Sequence, residues 1–173
     1  ALKDYGHELI PHLVEKGRVF EHRLAGYWRD VGTIKSYWQS QIDLLDSQTK
    51  FIFDDDEWPI LTLAAQRVPA FIYGAADVKD SLVAQGCRVF GRVARSVLSS
   101  GAIIEKGAEV ADSVILPRAE IEKGVKISRA VVDAGVRLTR GKAAQAEKKR
   151  ARNKNAVVVI GQNKIQSSDE IEE

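Results

Sequence analysis

Methionine is absent from this 173-residue chain, and cysteine occurs once, at Cys87. A single cysteine excludes an internal disulfide framework. Histidine is nearly as scarce: His7, His12 and His22 are the only three, all near the start. His7 and His12 stand five apart, a spacing that fits no common zinc pair. The sequence has no glycine-rich phosphate loop, no nucleophile elbow and no serine–histidine–aspartate arrangement. Its apolar runs are far too short to span a bilayer, and no charged-then-apolar leader opens it. Charge of one sign is missing too: 26 basic residues meet 24 acidic ones, leaving a net +2. That balance gives no reason to expect nucleic acid or a membrane as partner. Together these absences lead us to expect a cytoplasmic protein. The opening at Ala1, straight into structured-looking sequence, leads us to expect a piece of something longer.

What is present is a ruler. Apolar residues stand at Leu82, Cys87, Val93, Leu98, Ile104, Val110, Ile115, Ile121, Ile127, Val132 and Leu138, in steps of five or six. A helix face repeats every three or four residues and a lone strand every two. A period near six, held this long, predicts a hexapeptide β-solenoid. Gly101, Gly107, Gly124, Gly135 and Gly141 each follow a stripe residue by three places, where a positive φ lets the chain turn a corner. The stripe, Cys87 included, is expected to point into a narrow shared core, each fully buried side chain contributing about 1.5–3 kcal/mol. No coil buries its own face, so several must stack. The competing architecture is a β-sandwich, whose strands alternate over longer runs and turn about every 8–12 residues.

Residues 1–50 follow a different grammar. Asp4 to Lys16 reads as helix, N-capped by Asp4, with Leu9, Ile10, Leu13 and Val14 on its apolar face and Gly17 as its stop. Pro11 predicts a kink or two short helices. Val19 to Arg23 and Ala25 to Arg29 read as short strands. Thr33 then caps a strong helix carrying Ile34, Tyr37, Trp38, Ile42 and Leu45 at helical spacing. Residues 51–80 read as linker, with a short apolar run at Phe51–Phe53 and one short strand at Pro69–Tyr73. The acids Asp54, Asp55, Asp56 and Glu57 lack the alternating ligands and mid-loop glycine of an EF-hand, which favours a solvated loop over calcium. Residues 81–173 read as the solenoid domain, with a basic segment from Lys142 to Asn155 and a last strand, Ala156 to Ile160, returning to it. No aromatics interleave with Lys148, Lys149, Arg150, Arg152 and Lys154, so a solvated helix or loop ranks ahead of a phosphate-ligand surface, and that ahead of nucleic acid. The acidic tail from Ser167 to Glu173 is expected to fray.

The most informative motif is Tyr27-Trp28-Arg29-Asp30-Val31-Gly32-Thr33, followed by Ile34-Lys35-Ser36-Tyr37-Trp38. It reads as a strand ending in a carboxylate, a glycine turn and a capped helix. Asp30 is then either a plain turn residue or a hard oxygen ligand for Mg²⁺ beside a phosphate. Further blocks accompany it: Asp4-Tyr5-Gly6, Leu9-Ile10-Pro11, Asp43-Leu44-Leu45, Trp58-Pro59-Ile60, Asp80-Ser81-Leu82-Val83, Ser96-Val97-Leu98 and Ser113-Val114-Ile115-Leu116-Pro117. With these, the chain from Asp4 to about Leu138 resembles the glucose-1-phosphate adenylyltransferases of bacterial glycogen synthesis. Related sugar nucleotidyltransferases share only a looser Trp-x-Asp-x-Gly-Thr, so the longer block is specific.

The resemblance implies a mainly β fold: a left-handed parallel β-helix preceded by an α/β remnant of a Rossmann-like nucleotidyltransferase domain, of which residues 1–50 are the C-terminal end. The implied reaction joins ATP and glucose 1-phosphate into ADP-glucose and diphosphate, with Mg²⁺ neutralising charge at the reacting phosphates. By motif, Asp30 corresponds to a metal-binding carboxylate, and Trp28, Asp4 and Tyr5 to positions lining the glucose 1-phosphate pocket. Tyr5 replaces a commoner phenylalanine. Implied partners are ATP and glucose 1-phosphate in a longer enzyme, and further copies of the chain in a homotetramer. The family's glycine-rich, arginine-containing loop, its second metal-binding carboxylate and the basic residue that grips the sugar phosphate have no counterpart in this sequence. No complete catalytic set is therefore expected, and the chain is expected to be inactive alone. Many hexapeptide solenoids resemble histidine-dependent acyltransferases, but this solenoid contains no histidine. The other expectation is a non-catalytic oligomerisation or regulatory subunit; the intact Trp28 and Asp30 favour descent from an active enzyme.

Overall fold

Three parallel sheets wrap a single apolar column in the computed structural model, which describes residues 4–46, 55–61 and 66–171. The first sheet stacks β1 (Phe71–Ile72), β4 (Arg88–Val89), β7 (Ile103–Ile104), β10 (Glu120–Ile121) and β13 (Arg137–Leu138). The second stacks β2 (Asp77–Lys79), β5 (Arg92–Ala94), β8 (Glu109–Ala111) and β11 (Lys126–Ser128). The third stacks β3 (Leu82–Val83), β6 (Val97–Leu98), β9 (Val114–Ile115), β12 (Ala130–Val132) and β14 (Val158–Ile160), and β15 (Ile165–Ser167) closes its edge antiparallel. One turn of the solenoid visits all three sheets, and there are about four turns. β1 forms within the strand expected at Pro69–Tyr73, β2 is a second strand in the span that reads as linker, and both pair in register with the next turn.

Most of the stripe lies where its period puts it. Val93, Leu98, Ile104, Val110, Ile115, Ile121, Ile127, Val132 and Leu138 are all buried and share one cluster. The first two steps differ. Leu82 is 39% exposed, and the inward residue of β3 is Val83, paired with Leu98. Cys87 is buried, but the column position belongs to Val89, paired with Ile104. The reason is a short corner. From Ile104 to Val110 the chain uses six steps, and from Val89 to Val93 it uses four. Gly91 closes that corner, because a Cβ there would collide with the carbonyl oxygen of Ala108. Leu82 and Cys87 keep the five-or-six rhythm across the deletion, which is why they stand in for Val83 and Val89 in the sequence. The Cys87 thiol donates to the Ser99 carbonyl at 3.2 Å, and burial pushes its pKa up. It is a small buried hydrophobe.

Glycine is one of two ways this chain turns. Gly101, Gly107, Gly124 and Gly135 adopt positive φ as expected, whereas Gly141 sits inside α3 (Arg140–Arg152). The corner between the second and third sheets instead uses Asp80, Arg95, Asp112 and Arg129, all with φ between 45° and 50°. Serines stiffen this corner. The backbone N–H of Ser96 donates to the Ser81 hydroxyl at 3.1 Å, that of Ser113 to Ser96 at 3.1 Å, and that of Ala130 to Ser113 at 3.2 Å. Each hydroxyl returns a bond to a carbonyl two residues back. Backbone donors at a buried corner are thereby satisfied turn by turn.

The basic segment is a helix with a structural task. Thr139 caps α3, and Ala143 and Ala146 are buried against the end of the core column. A solenoid leaves its last coil open, and α3 covers it. Its other face stays wet. The tail does not fray over its described part: Ser167 to Ile171 forms a capped 3-10 turn, tied to α3 by Lys149–Glu170 at 2.6 Å and Asn153–Asp169 at 2.8 Å.

Before the solenoid, a π-helical turn (Tyr5–Leu9) runs into α1 (Ile10–Glu15), with Asp4 capping it, the division that Pro11 predicts. Gly17 ends it at φ +62°. The expected strands at Val19–Arg23 and Ala25–Arg29 do not form. A strand needs a neighbour to take its backbone hydrogen bonds, and among the described residues this stretch has none; Phe20 is 91% exposed. Residues 4–46 are thus helix and irregular chain. The Phe51–Phe53 run and Asp54 lie outside the described residues.

Candidate functional site

The Tyr27–Thr33 block is held by the helix that follows it. α2 (Ile34–Asp43) starts at a capping box between Thr33 and Ser36. Its last residue, Asp43, faces back toward the block. The Tyr27 hydroxyl donates to Asp43 Oδ2 at 2.9 Å, the Arg29 guanidinium approaches the same oxygen at 2.9 Å, and Gln39 donates to Oδ1 at 2.7 Å. Arg29 Nε also donates to the Tyr27 oxygen at 3.1 Å.

This network titrates. Burial pushes the Asp43 carboxyl up, but hydrogen bonds from Gln39 and Tyr27 and the charge of Arg29 outweigh it and hold it below the usual carboxylate range. A carboxyl lowered by folding contributes fully above its unfolded value, about 3.9, and loses that contribution as pH falls through its folded value. Release of Tyr27 and Arg29 from α2 is therefore expected only in acid below about pH 4, as the pH falls through the lowered folded value of Asp43. Asp43→Asn should flatten this dependence, read from the Tyr27 ring resonances; an equally acid-sensitive Tyr27 in that variant would assign the effect to another group.

α2 itself is keyed to the solenoid. Trp38 and Ile42 are buried against Val114 and Val131, outward apolar residues of the third sheet, and against Val157, which immediately precedes β14. The Trp38 indole N–H donates to the Asp112 carbonyl at 2.7 Å. The Arg129 guanidinium lies 4.5 Å from the Trp38 ring centroid and donates to the Asn155 carbonyl at 2.8 Å. The positive φ of Arg129 and Asp112 aims this corner at the helix. A recess of about 500 Å³ lies at the start of α2, lined by Val31, Gly32, Thr33, Ile34, Tyr37 and Ile171.

The residues expected at the site are surface residues. Asp4 and Tyr5 open the π-helical turn, Tyr5 being 75% exposed. Trp28 is 73% exposed and Asp30 is exposed beside it. Asp30 Oδ1 accepts the Gly32 N–H at 3.2 Å. Among the described residues, no hydrogen bond or ion pair joins Asp4 or Tyr5 to Trp28 or Asp30. Nor does any group of three or more histidine, cysteine, aspartate or glutamate residues there form a cage for a metal ion. Asp30 offers one hard carboxylate, which fits a Mg²⁺ site completed by substrate phosphates and water rather than by protein alone. Asp43, Ser81, Ser96 and Ser113 stand in the sequence blocks given above without their structural tasks being evident there, and Arg129 stands in none of them. The serines carry a signal in hindsight: Ser81, Ser96 and Ser113 repeat at the spacing of the solenoid turns.

Residues 70–163 match the family described as GlmU-like, C-terminal hexapeptide. The chain belongs to that family. It is also similar to proteins named glucose-1-phosphate adenylyltransferase: 41% identical over 115 residues to that of Clostridioides difficile, covering 66% of this chain and 30% of the relative. The Desulforamulus reducens protein is 42% identical over 114 residues, covering 65% and 29%, and the Bacillus cytotoxicus protein 36% over 115 residues, covering 66% and 31%. The matched stretch thus spans under a third of these relatives. This hexapeptide-family chain has no described helix long and apolar enough to cross a membrane.

Proposed function

We propose that this chain acts as the C-terminal part of a glucose-1-phosphate adenylyltransferase, making ADP-glucose and diphosphate from ATP and glucose 1-phosphate in glycogen synthesis. The similarity to proteins of that name supports the reading. The observation that carries it is the mounting of the Tyr27–Thr33 block: Trp28 and Asp30 are presented outward on a segment fixed to α2, and α2 is keyed to the solenoid. In this reading Asp30 holds Mg²⁺, which supplies charge neutralisation at the reacting phosphates when bound. Trp28 gives the sugar an apolar wall, and Asp4 and Tyr5 border the same pocket from the first helical turn. The ATP-gripping residues come from the front part of the enzyme, and copies of the solenoid assemble as a tetramer.

The test is complementation. The front two-thirds of a relative is mixed with this chain, and ADP-glucose formation is followed with Mg²⁺ present. Turnover is expected from the mixture and from neither part alone, and Asp30→Asn should reduce it by at least about a hundredfold, the loss expected for a group acting on transition-state charge. An inert mixture, beside an active relative, would favour a non-catalytic subunit. Turnover by this chain alone would overturn the incomplete site.

A further inference from the structure

Tyr27 and Arg29 are two residues apart, and both reach Asp43. Trp28 and Asp30 alternate with them, and both face solvent. This is the alternation of an extended segment, whose successive side chains point to opposite sides. No neighbouring strand fixes it, since residues 18–33 take part in no sheet. Among the described residues, the side-chain contacts that hold the inward side of the segment converge on one carboxylate.

We infer that Asp43 is a positioning residue that sets which way Trp28 and Asp30 face. Its side chain is only 18% exposed, less than half the 38% of its partner Arg29. It sits at the end of α2, whose opposite end is capped and whose middle is locked to the solenoid by Trp38. Asp43 is therefore a fixed post, and the segment from Tyr27 to Asp30 hangs from it at two points. A single anchor would leave rotation about the segment; two anchors at alternate residues remove it. Gly32 continues the constraint, its N–H donating to Asp30 Oδ1. The consequence for the site rests on the sugar-phosphate reading above: with Asp43 in place the Trp28 wall and the Asp30 carboxylate are presented together, before any ligand arrives.

Two of the three tryptophans, Trp28 and Trp38, and the Gly32 amide provide the readout on the 173-residue chain. In an ¹⁵N-labelled sample the Trp28 indole reports the segment, the Gly32 amide reports Asp30, and the Trp38 indole reports the docking of α2. Asp43→Asn is expected to move the Trp28 and Gly32 signals and leave Trp38 in place. Trp28 and Gly32 unmoved, with Trp38 unmoved, would overturn the inference. If Asp43→Asn also moves Trp38, Arg29→Gln decides, because it leaves α2 intact: shifts confined to Trp28 and Gly32 support the inference, and an unchanged spectrum overturns it. In the complemented mixture, Asp43→Asn should raise the KM for glucose 1-phosphate about tenfold, the loss of one charged hydrogen-bond anchor, with the KM for ATP unchanged. Glucose 1-phosphate that fails to bind even with Asp43 intact would refute the sugar-phosphate reading and leave the positioning role to the indole and amide signals.

Discussion

Ile121→Asp is expected to leave no folded solenoid. Ile121 is fully buried on β10, directly between Ile104 and Leu138 of the neighbouring turns. Truncation to alanine costs about 2–5 kcal/mol, a sum a domain of ordinary stability survives with a lowered denaturant midpoint. Aspartate adds an unpaired charge in a column that offers it no polar partner, and that penalty is several kcal/mol more. Together the two exceed the usual margin of about 5–15 kcal/mol at its lower end. Ile103 supplies the control. It precedes Ile104 on β7, faces outward, and stands in register between Arg88 and Glu120. Ile103→Asp places a charge between charges and should shift the midpoint far less. Equal damage from the two substitutions, followed by circular dichroism in urea, would mean that the column does not hold the fold together.

The contrast also explains what could be read from the chain. The inward residues recur at nearly fixed steps because each turn of a solenoid repeats the same three faces, so Leu98 to Leu138 announces itself. The short corner at Gly91 does not, because a four-residue step beside two convenient apolar residues keeps the rhythm intact. α3 was visible as a basic run but not as a lid: only Ala143 and Ala146 meet the core, and alanine carries little periodic signal. The stretches expected as strands before Thr33 carry Val19, Phe20, Tyr27 and Trp28, and such content makes a strand only where a neighbour exists to pair with it. The site shows the same limit. Trp28 and Asp30 belong to a motif and stand out. Asp43 opens the Asp43-Leu44-Leu45 block, but its task shows only where Tyr27 and Arg29 reach it across 16 and 14 residues of chain. Contacts of that kind have no period and no composition.

Trp38→Ala should separate the two parts of the molecule without unfolding the solenoid. Trp38 is 4% exposed and carries three different attachments: apolar contact with Val114, Val131 and Val157, the N–H bond to the Asp112 carbonyl, and the stack with Arg129. Removing a buried tryptophan costs about 3–5 kcal/mol. The interior column is a separate cluster from the one Trp38 joins, so the loss falls on the docking of α2. Amide exchange within Ile34–Asp43 should then become fast, while the amides of Ile104 and Ile121 stay protected. Val114, Val131 and Val157 would be uncovered together, and a dye that binds apolar surface should report it. Trp38→Phe keeps much of the ring and loses the donor, so its effect should be nearer 1 kcal/mol. The complemented activity is expected to fall with α2 docking, because the Tyr27–Asp30 segment is mounted on that helix. Activity retained while α2 exchanges freely would show that the solenoid does not hold the site in place.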